Sequence, residues 1–278
     1  MKRAYISADI EGMEGAVTRL SVARSGPDFA VARKRLALDV NAAAKACFDM
    51  GYNEVVVCDG HADMENLIPE DLDKRILLLN GAMRDSLQMQ NIDKGFDIFI
   101  AFGHAGAGLN ADGVLNHCYN GVKIYNMRFN GITTNTESVV NGAIAGFYDV
   151  PLIAVIGDEA VCREVKEFSP NVEGIAVKQG LYRHCAISVH PEVAREMIYE
   201  GVKKAIARKE EIKPIKLFGD GKEVVFEIDY KETSMADTAC LVPGMERTAP
   251  RSVKYTGDAE TIFKLHELIV YRLVDVLQ

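Results

Sequence analysis

Short apolar runs that each close on an acid or an imidazole constrain this chain more than any other feature. The first is Ala4-Tyr5-Ile6-Ser7-Ala8-Asp9-Ile10-Glu11-Gly12. In an extended chain, residues two apart point the same way. Asp9 and Glu11 can therefore face one spot, with Gly12 free to turn the backbone beyond them. The design recurs at Val55-Val56-Val57-Cys58-Asp59-Gly60-His61 and at Ile98-Phe99-Ile100-Ala101-Phe102-Gly103-His104, and more loosely in the segment ending at Glu137. Runs this apolar read as strands buried on both faces.

The segments between them read as helices. Residues 29–50 carry Leu36, Val40, Ala44 and Cys47 on one face, with Asp28 as a candidate cap and Gly51 as the stop. Further strands are expected at 75–80, 123–129, 151–156 and 172–178, and helices at 83–89, 137–148 and 159–168. Asn130-Gly131 is a hairpin signal, because both residues tolerate positive φ. This alternation is the signature of an α/β fold: a mostly parallel sheet flanked by helices. The pattern changes near residue 185. A long helix at 191–211, an alternating strand at 223–230, a short helix at 233–240, a strand at 252–255 and an amphipathic helix at 258–278 follow. The expected organisation is an α/β metal-site domain over 1–185 and a smaller C-terminal α+β subdomain over 186–256, with the last helix, 257–278, packing back on the first domain.

The bulk properties exclude some functions. A formal net charge of −8 over 278 residues argues against nucleic acid, which needs a basic face. No segment approaches the ~20 apolar residues of a membrane span. Met1-Lys2-Arg3 resembles a signal n-region, but Asp9 and Glu11 interrupt the run behind it, so no secretory signal is expected. Six scattered cysteines without a CxxC pair read as free thiols in a reducing, cytoplasmic setting.

In open α/β sheets, sites form beyond the carboxyl ends of the strands. Asp9, Glu11, His61 and His104 fall there, and Glu137 opens a helix that can point at the same crevice. Three carboxylates and two imidazoles suit zinc, manganese or another borderline divalent metal, and are too nitrogen-rich for magnesium or calcium. Five ligands fit two metals better than one, with Asp9, at the strand end, as the bridge. Such a pair, roughly 3.5–4 Å apart, deprotonates a bridging water near neutral pH and so supports hydrolysis. His117 is the candidate to stabilise an oxyanion or shuttle a proton, and Asp59 to orient the His61 ring. Asp158-Glu159 has the same shape as the other strand ends on weaker grounds, and His184, His190 and His266 read as structural. The glycine-rich loop over 103–113 lacks both GK[ST] and GxGxxG and reads as a connection.

At these residues the chain resembles the zinc-dependent D-aminopeptidases of the DppA type. The resemblance rests on Ser7-Ala8-Asp9-Ile10-Glu11-Gly12, Asp59-Gly60-His61 with Asn66-Leu67, Gly103-His104-Ala105, and Gly113-Val114-Leu115-Asn116-His117. It continues through Glu137, Gly146-Phe147-Tyr148-Asp149-Val150-Pro151, Ala176 to Gln179 and Pro243 to Glu246. It implies two zinc ions per subunit and a metal-bridging hydroxide, with Asp9 as the bridge. Glu11 and Glu137 would complete one metal, and His61 and His104 the other, with His117 catalytic. It also implies a ring-shaped homodecamer acting on short peptides, D-residues among them. The alternatives are a metallohydrolase of another class, an amidase or phosphoesterase, and a non-catalytic metal- or peptide-binding scaffold.

Overall fold

The chain builds two sheets, and the apolar runs of the first half form the centre of the larger one. The structure is a computed structural model that describes residues 1–273. In chain order the elements are β1 (Arg3–Ala8), α1 (Arg19–Val22), α2 (Phe29–Asp49), β2 (Glu54–Asp59), β3 (Ile76–Leu79), β4 (Ile98–Phe102), β5 (Ile124–Phe129) and β6 (Ile132–Thr133). Then come α3 (Glu137–Phe147), β7 (Leu152–Asp158), α4 (Glu159–Phe168), β8 (Glu173–Tyr182), β9 (Cys185–Ser188) and α5 (Pro191–Ala207). The last described elements are β10 (Val224–Tyr230), α6 (Thr233–Ala239), β11 (Glu246–Ala249), β12 (Ser252–Gly257) and α7 (Ala259–Glu267), with a π-helical turn at Leu268–Arg272.

The larger sheet runs β3-β2-β1-β4-β7-β8-β9, parallel except for the β8–β9 hairpin. Its central strands β1, β4 and β7 are buried on both faces, as the apolar runs require. Ala4, Ile6 and Ala8 of β1 pack toward α2 and α5. Tyr5 packs into the opposite core, with α3, α4, α7 and the second sheet. That second sheet is antiparallel, in the order β11-β12-β10-β5-β6.

From β1 the chain moves outward through β2 to β3; from β4 it moves the other way, through β7 to β8. The strand order therefore reverses between β1 and β4, and a crevice opens beyond their carboxyl ends. Backbone bonds stitch this point together: Asp9 N–H donates to Phe102 O at 2.7 Å, Gly12 N–H to Gly103 O at 2.5 Å, and Gly103 N–H to Ile156 O at 2.8 Å. Gly103 has φ +72°, and a Cβ there would stand 2.1 Å from Asp9 O. Gly12 is needed for a different reason from the one expected. Its φ is not left-handed, but a Cβ would lie 2.5 Å from His104 O, so close approach fixes the residue.

Several expectations are corrected. Asp28 occupies the N-cap of α2 without a side-chain capping bond. The helix expected at 83–89 is a single 3-10 turn at Leu87–Met89, since Met83, Leu87 and Asn91 all adopt positive φ. The helix from 191 stops at Ala207 and tightens into a 3-10 turn at Lys209–Glu211. Strands β9 and β11 were not anticipated; both are four residues long and largely exposed.

Sheet membership does not follow the division at 185. Residues 124–133 join the second sheet, whereas α5 packs on α2 and β8 of the first. Helix α7 lies against β10, β12 and the turn at 87–89; residues 274–278 of the helix expected there lie outside the described residues. No helix among the described residues is long and apolar enough to cross a membrane.

Candidate metal centre

Asp9, Glu11, His61, His104 and Glu137 meet in the crevice at the strand reversal. All five are at least nine-tenths buried, His104 completely. Asp9 follows β1 on the side of Tyr5 and Ser7, His61 stands two residues past β2, His104 two past β4, and Glu137 is the first residue of α3. The donor atoms form two groups that share Asp9. One is Asp9, Glu11 and His61; the other is Asp9, His104 and Glu137; within each group they lie within 4.8 Å of one another. These groups differ from the expected division of ligands: each holds one imidazole and one glutamate, because Glu11 and His61 lie on one side of Asp9, and His104 and Glu137 on the other.

The two groups repeat one geometry. His61 Nδ1 is 3.0 Å from both Asp9 Oδ1 and Glu11 Oε2. His104 Nδ1 is 3.0 Å from Glu137 Oε2 and 3.2 Å from Asp9 Oδ2. Each imidazole nitrogen thus faces two carboxylate oxygens, one of them from Asp9. His61 Nε2 lies 2.7 Å from Val22 O. A carbonyl can only accept, so Nε2 carries a proton. Burial opposes a charged His61, but Glu11 and Asp9 outweigh it and raise the imidazole well above its usual value, so a proton on Nδ1 stands between the carboxylates where a bound cation would, with the second nitrogen held as in metal-ligating histidines. His104 Nε2 is held by Ser7 Oγ at 3.0 Å.

The electrostatics carry the same message. Burial, together with Glu11 beside it, pushes Asp9 up to about 6. Burial disfavours an ionised Glu137, but His104 and His117 outweigh it and hold the carboxyl down to about 2. Burial also opposes a charged His104, yet Asp9 and Glu137 raise it to about 10. The acids draw positive charge into a dry pocket, and protons on imidazole supply it where a divalent ion would. The donor set fits two metals by its chemistry and by the sharing of Asp9.

His117 lies at the edge. Its Nδ1 is 2.8 Å from Leu115 O, which fixes the proton there and leaves Nε2 3.6 Å from Glu137 Oε1, beyond hydrogen-bond reach. Leu115 and Tyr119, on either side, hold left-handed φ of +52°, a strained backbone that places the ring. With Glu11 and His61 it lines an open cleft of about 370 Å³.

Asp59 does not orient His61. It accepts from Asn66 N–H, Leu67 N–H and Asn66 Nδ2, and Asn66 Nδ2 donates to His61 O. Its role is to close the loop that carries His61. Asp158 caps α4 through Val161 N–H and accepts from Val114 N–H, outside both groups. His184 and His190 lie on the surface, and His266 packs edge-on against Tyr119.

Two supporting residues were missed. Gln88 donates to Glu137 Oε2 at 2.9 Å and is itself held by Asn141. Lys178, in β8, is buried with its ammonium donating to Glu11 O, to Met13 O at 2.9 Å and to Ala16 O at 2.7 Å. A lysine closing the apolar run Ile175-Ala176-Val177 was the available signal. Gln88 had a weaker one, a polar residue between Leu87 and Met89.

A D-aminopeptidase of Bacillus subtilis (strain 168) is 28% identical over 258 residues, 91% of this chain and 90% of the relative. The solved structure of the Zn-dependent D-aminopeptidase DppA from Bacillus subtilis, described as a self-compartmentalizing protease, matches with a TM-score of 0.92 at 25% identity. That match covers 98% of this chain and 97% of the other. The family model Peptidase_M55, described as D-aminopeptidase, matches residues 1–269, and the chain belongs to that family of hydrolases.

Proposed function

We propose that this chain is a zinc aminopeptidase that releases the N-terminal residue, D-residues included, from short peptides. The observation that carries the reading is the sharing of Asp9: its two oxygens each face an imidazole Nδ1, so one buried carboxylate joins two donor groups. Asp9, Glu11 and His61 would hold one ion, and Asp9, His104 and Glu137 the other. When bound, a zinc pair supplies an activated water near neutral pH and a Lewis acid for the scissile carbonyl.

The chain's own residues do the rest. Ser7 and Val22 O hold the two ligand rings by their outer nitrogens. Burial opposes a protonated His117 ring, but Glu11 and Glu137 outweigh it and favour that form; with its Nδ1–H held by Leu115 O, the Nε2–H of that imidazolium is left to donate to the carbonyl oxygen as it becomes an oxyanion. The cleft admits a peptide past Val22, Leu115 and Val122 to the acidic floor.

The solved relative is described as self-compartmentalizing, and we extend a homo-oligomeric ring to this chain, with ten subunits as the number the resemblance implies. The test is to strip the protein with a chelator, restore zinc, and assay D- and L-aminoacyl anilides beside p-nitrophenyl phosphate. The expected result is about two zinc ions per chain and zinc-dependent release of p-nitroaniline. Turnover of the phosphate alone, or full activity without metal, overturns the reading.

A further inference from the structure

The cleft above the metal centre has a charge order of its own. Its floor is acidic, formed by Glu11 beside His61 and His117, while Arg19, Arg24 and Arg183 line it further out. The three guanidiniums come from separate places: α1, the residues just after it, and the β8–β9 hairpin. They converge in a chain whose net charge is −8.

Their existing partners leave them available. Arg19 is exposed and has no ion pair among the described residues. Arg24 uses Nη2 on Asp63, at 2.8 Å, and on Glu65 O, at 3.0 Å; the ion pair is about half exposed on both sides, at 54% and 49%, pairs of that kind hold each other weakly, and Nε and Nη1 are left to donate. Arg183 spends Nη1 on Asn116 O and Oδ1, which keeps the guanidinium in place with its other nitrogens still free to donate. A guanidinium fork matches the two oxygens of a carboxylate.

We propose that Arg19, Arg24 and Arg183 form a subsite for the C-terminal carboxylate of a short peptide whose amino terminus points to the acidic floor. The inference rests on the aminopeptidase reading above and adds the substrate's other end. A zwitterion fits the cleft in one direction only, with the ammonium inward and the carboxylate at the arginines. Each added residue carries the carboxylate about 3.5 Å further out, so the subsite also selects for shortness.

The experiment compares a di-D-peptide as free acid and as C-terminal amide on the zinc-loaded enzyme, by kcat/KM. The expected result is a preference for the acid of about tenfold or more, the worth of a charge-assisted hydrogen bond. In Arg19→Gln the acid-to-amide ratio falls, through KM for the acid, and in Arg19→Gln/Arg24→Gln it falls further toward one. Circular dichroism checks that the variants fold, and Arg183→Lys, which keeps the charge, retains more of the preference than Arg183→Gln. Equal rates on acid and amide in the wild type overturn the subsite and leave the aminopeptidase standing. No hydrolysis of either peptide overturns both.

Discussion

The two donor groups that share Asp9 are alike in composition and unlike in surroundings. Glu11 and His61 border the cleft, and their carbonyl contacts, Lys178 to Glu11 O and His61 to Val22 O, belong to the loop after β1 and to α1 that follows it. His104 and Glu137 are sealed off, at 0% and 1% exposure. Side chains and a backbone amide brace them: Ser7 on His104, and Gln88 and Tyr119 N–H on Glu137, the last at 2.6 Å. One half of the centre is therefore held by backbone geometry and open to the cleft, and the other by a fixed hydrogen-bond network and closed. On the proposed function, substrate contact would fall to the outer half and permanence to the inner one.

The sharpest way to break this picture is at the shared residue. Asp9→Ala should lose both metals together and lower hydrolysis by more than about 10²–10³-fold, the cost of a single lost electrostatic stabiliser. Glu11→Gln and Glu137→Gln should each take zinc from about two per chain to about one, with the retained ion bound more tightly in Glu11→Gln, where the inner half is intact. Metal analysis after dialysis reads this directly. Equal residual affinity in the two glutamate variants would remove the distinction between the halves.

The braces provide the next test. Gln88→Ala leaves every ligand in place and removes the 2.9 Å bond to Glu137 Oε2 together with a longer one, 3.2 Å, to Gly60 O beside His61, so the inner metal should weaken the more, by about 10–100-fold, as supporting hydrogen bonds usually dictate. Lys178→Met acts on the outer half through the backbone. It removes the ammonium from three carbonyls and leaves them buried, a loss of roughly 2 kcal/mol or more in stability, together with weaker binding at Glu11. Competitive chelation titrations should assign the first loss to one metal and the second to the other; a loss spread evenly over both would show that the centre behaves as one rigid unit.

The meeting of these residues in one crevice was legible in the sequence because its parts are local. A run of apolar residues marks a buried strand, and a polar residue at its end marks the rim, so Asp9, Glu11, His61 and His104 could be placed at one rim without a structure. The Asn130-Gly131 turn was legible for the same reason, with φ of +51° and +76° at those two residues. What depended on three-dimensional neighbours was not. The grouping of ligands follows from β1 lying between β2 and β4, which puts His61 and His104 on opposite sides of Asp9. Asp59 lies as close to His61 in the chain as Glu11 does to Asp9, yet it turns to the loop amides of Asn66 and Leu67. Lys178 meets Glu11 across 167 positions of chain, a contact no local pattern encodes.

A second pair of buried acids tests what makes the first set a metal centre. Glu14, on the loop beyond Glu11, faces Asp39 of α2, and the carboxylate oxygens of both have no hydrogen-bond partner among the described residues. Arg195 stands 3.5 Å from Asp39 Oδ1. Burial comes first, and then Glu14 beside it, in pushing Asp39 up to about 8. Here the pocket is balanced by a retained proton, and no imidazole joins the pair. Asp39→Asn should therefore leave the zinc content unchanged and alter only the pH dependence of stability. The sign follows from the shift. Unfolded Asp39 ionises near its ordinary value of about 4, while the folded form keeps its proton up to about 8, so the wild type should lose stability as pH rises through that window. Melting temperatures measured from pH 4 to pH 9 should fall less steeply in the variant. A loss of bound zinc in Asp39→Asn would instead join this pair to the metal centre and undo the claim that the imidazoles distinguish the two.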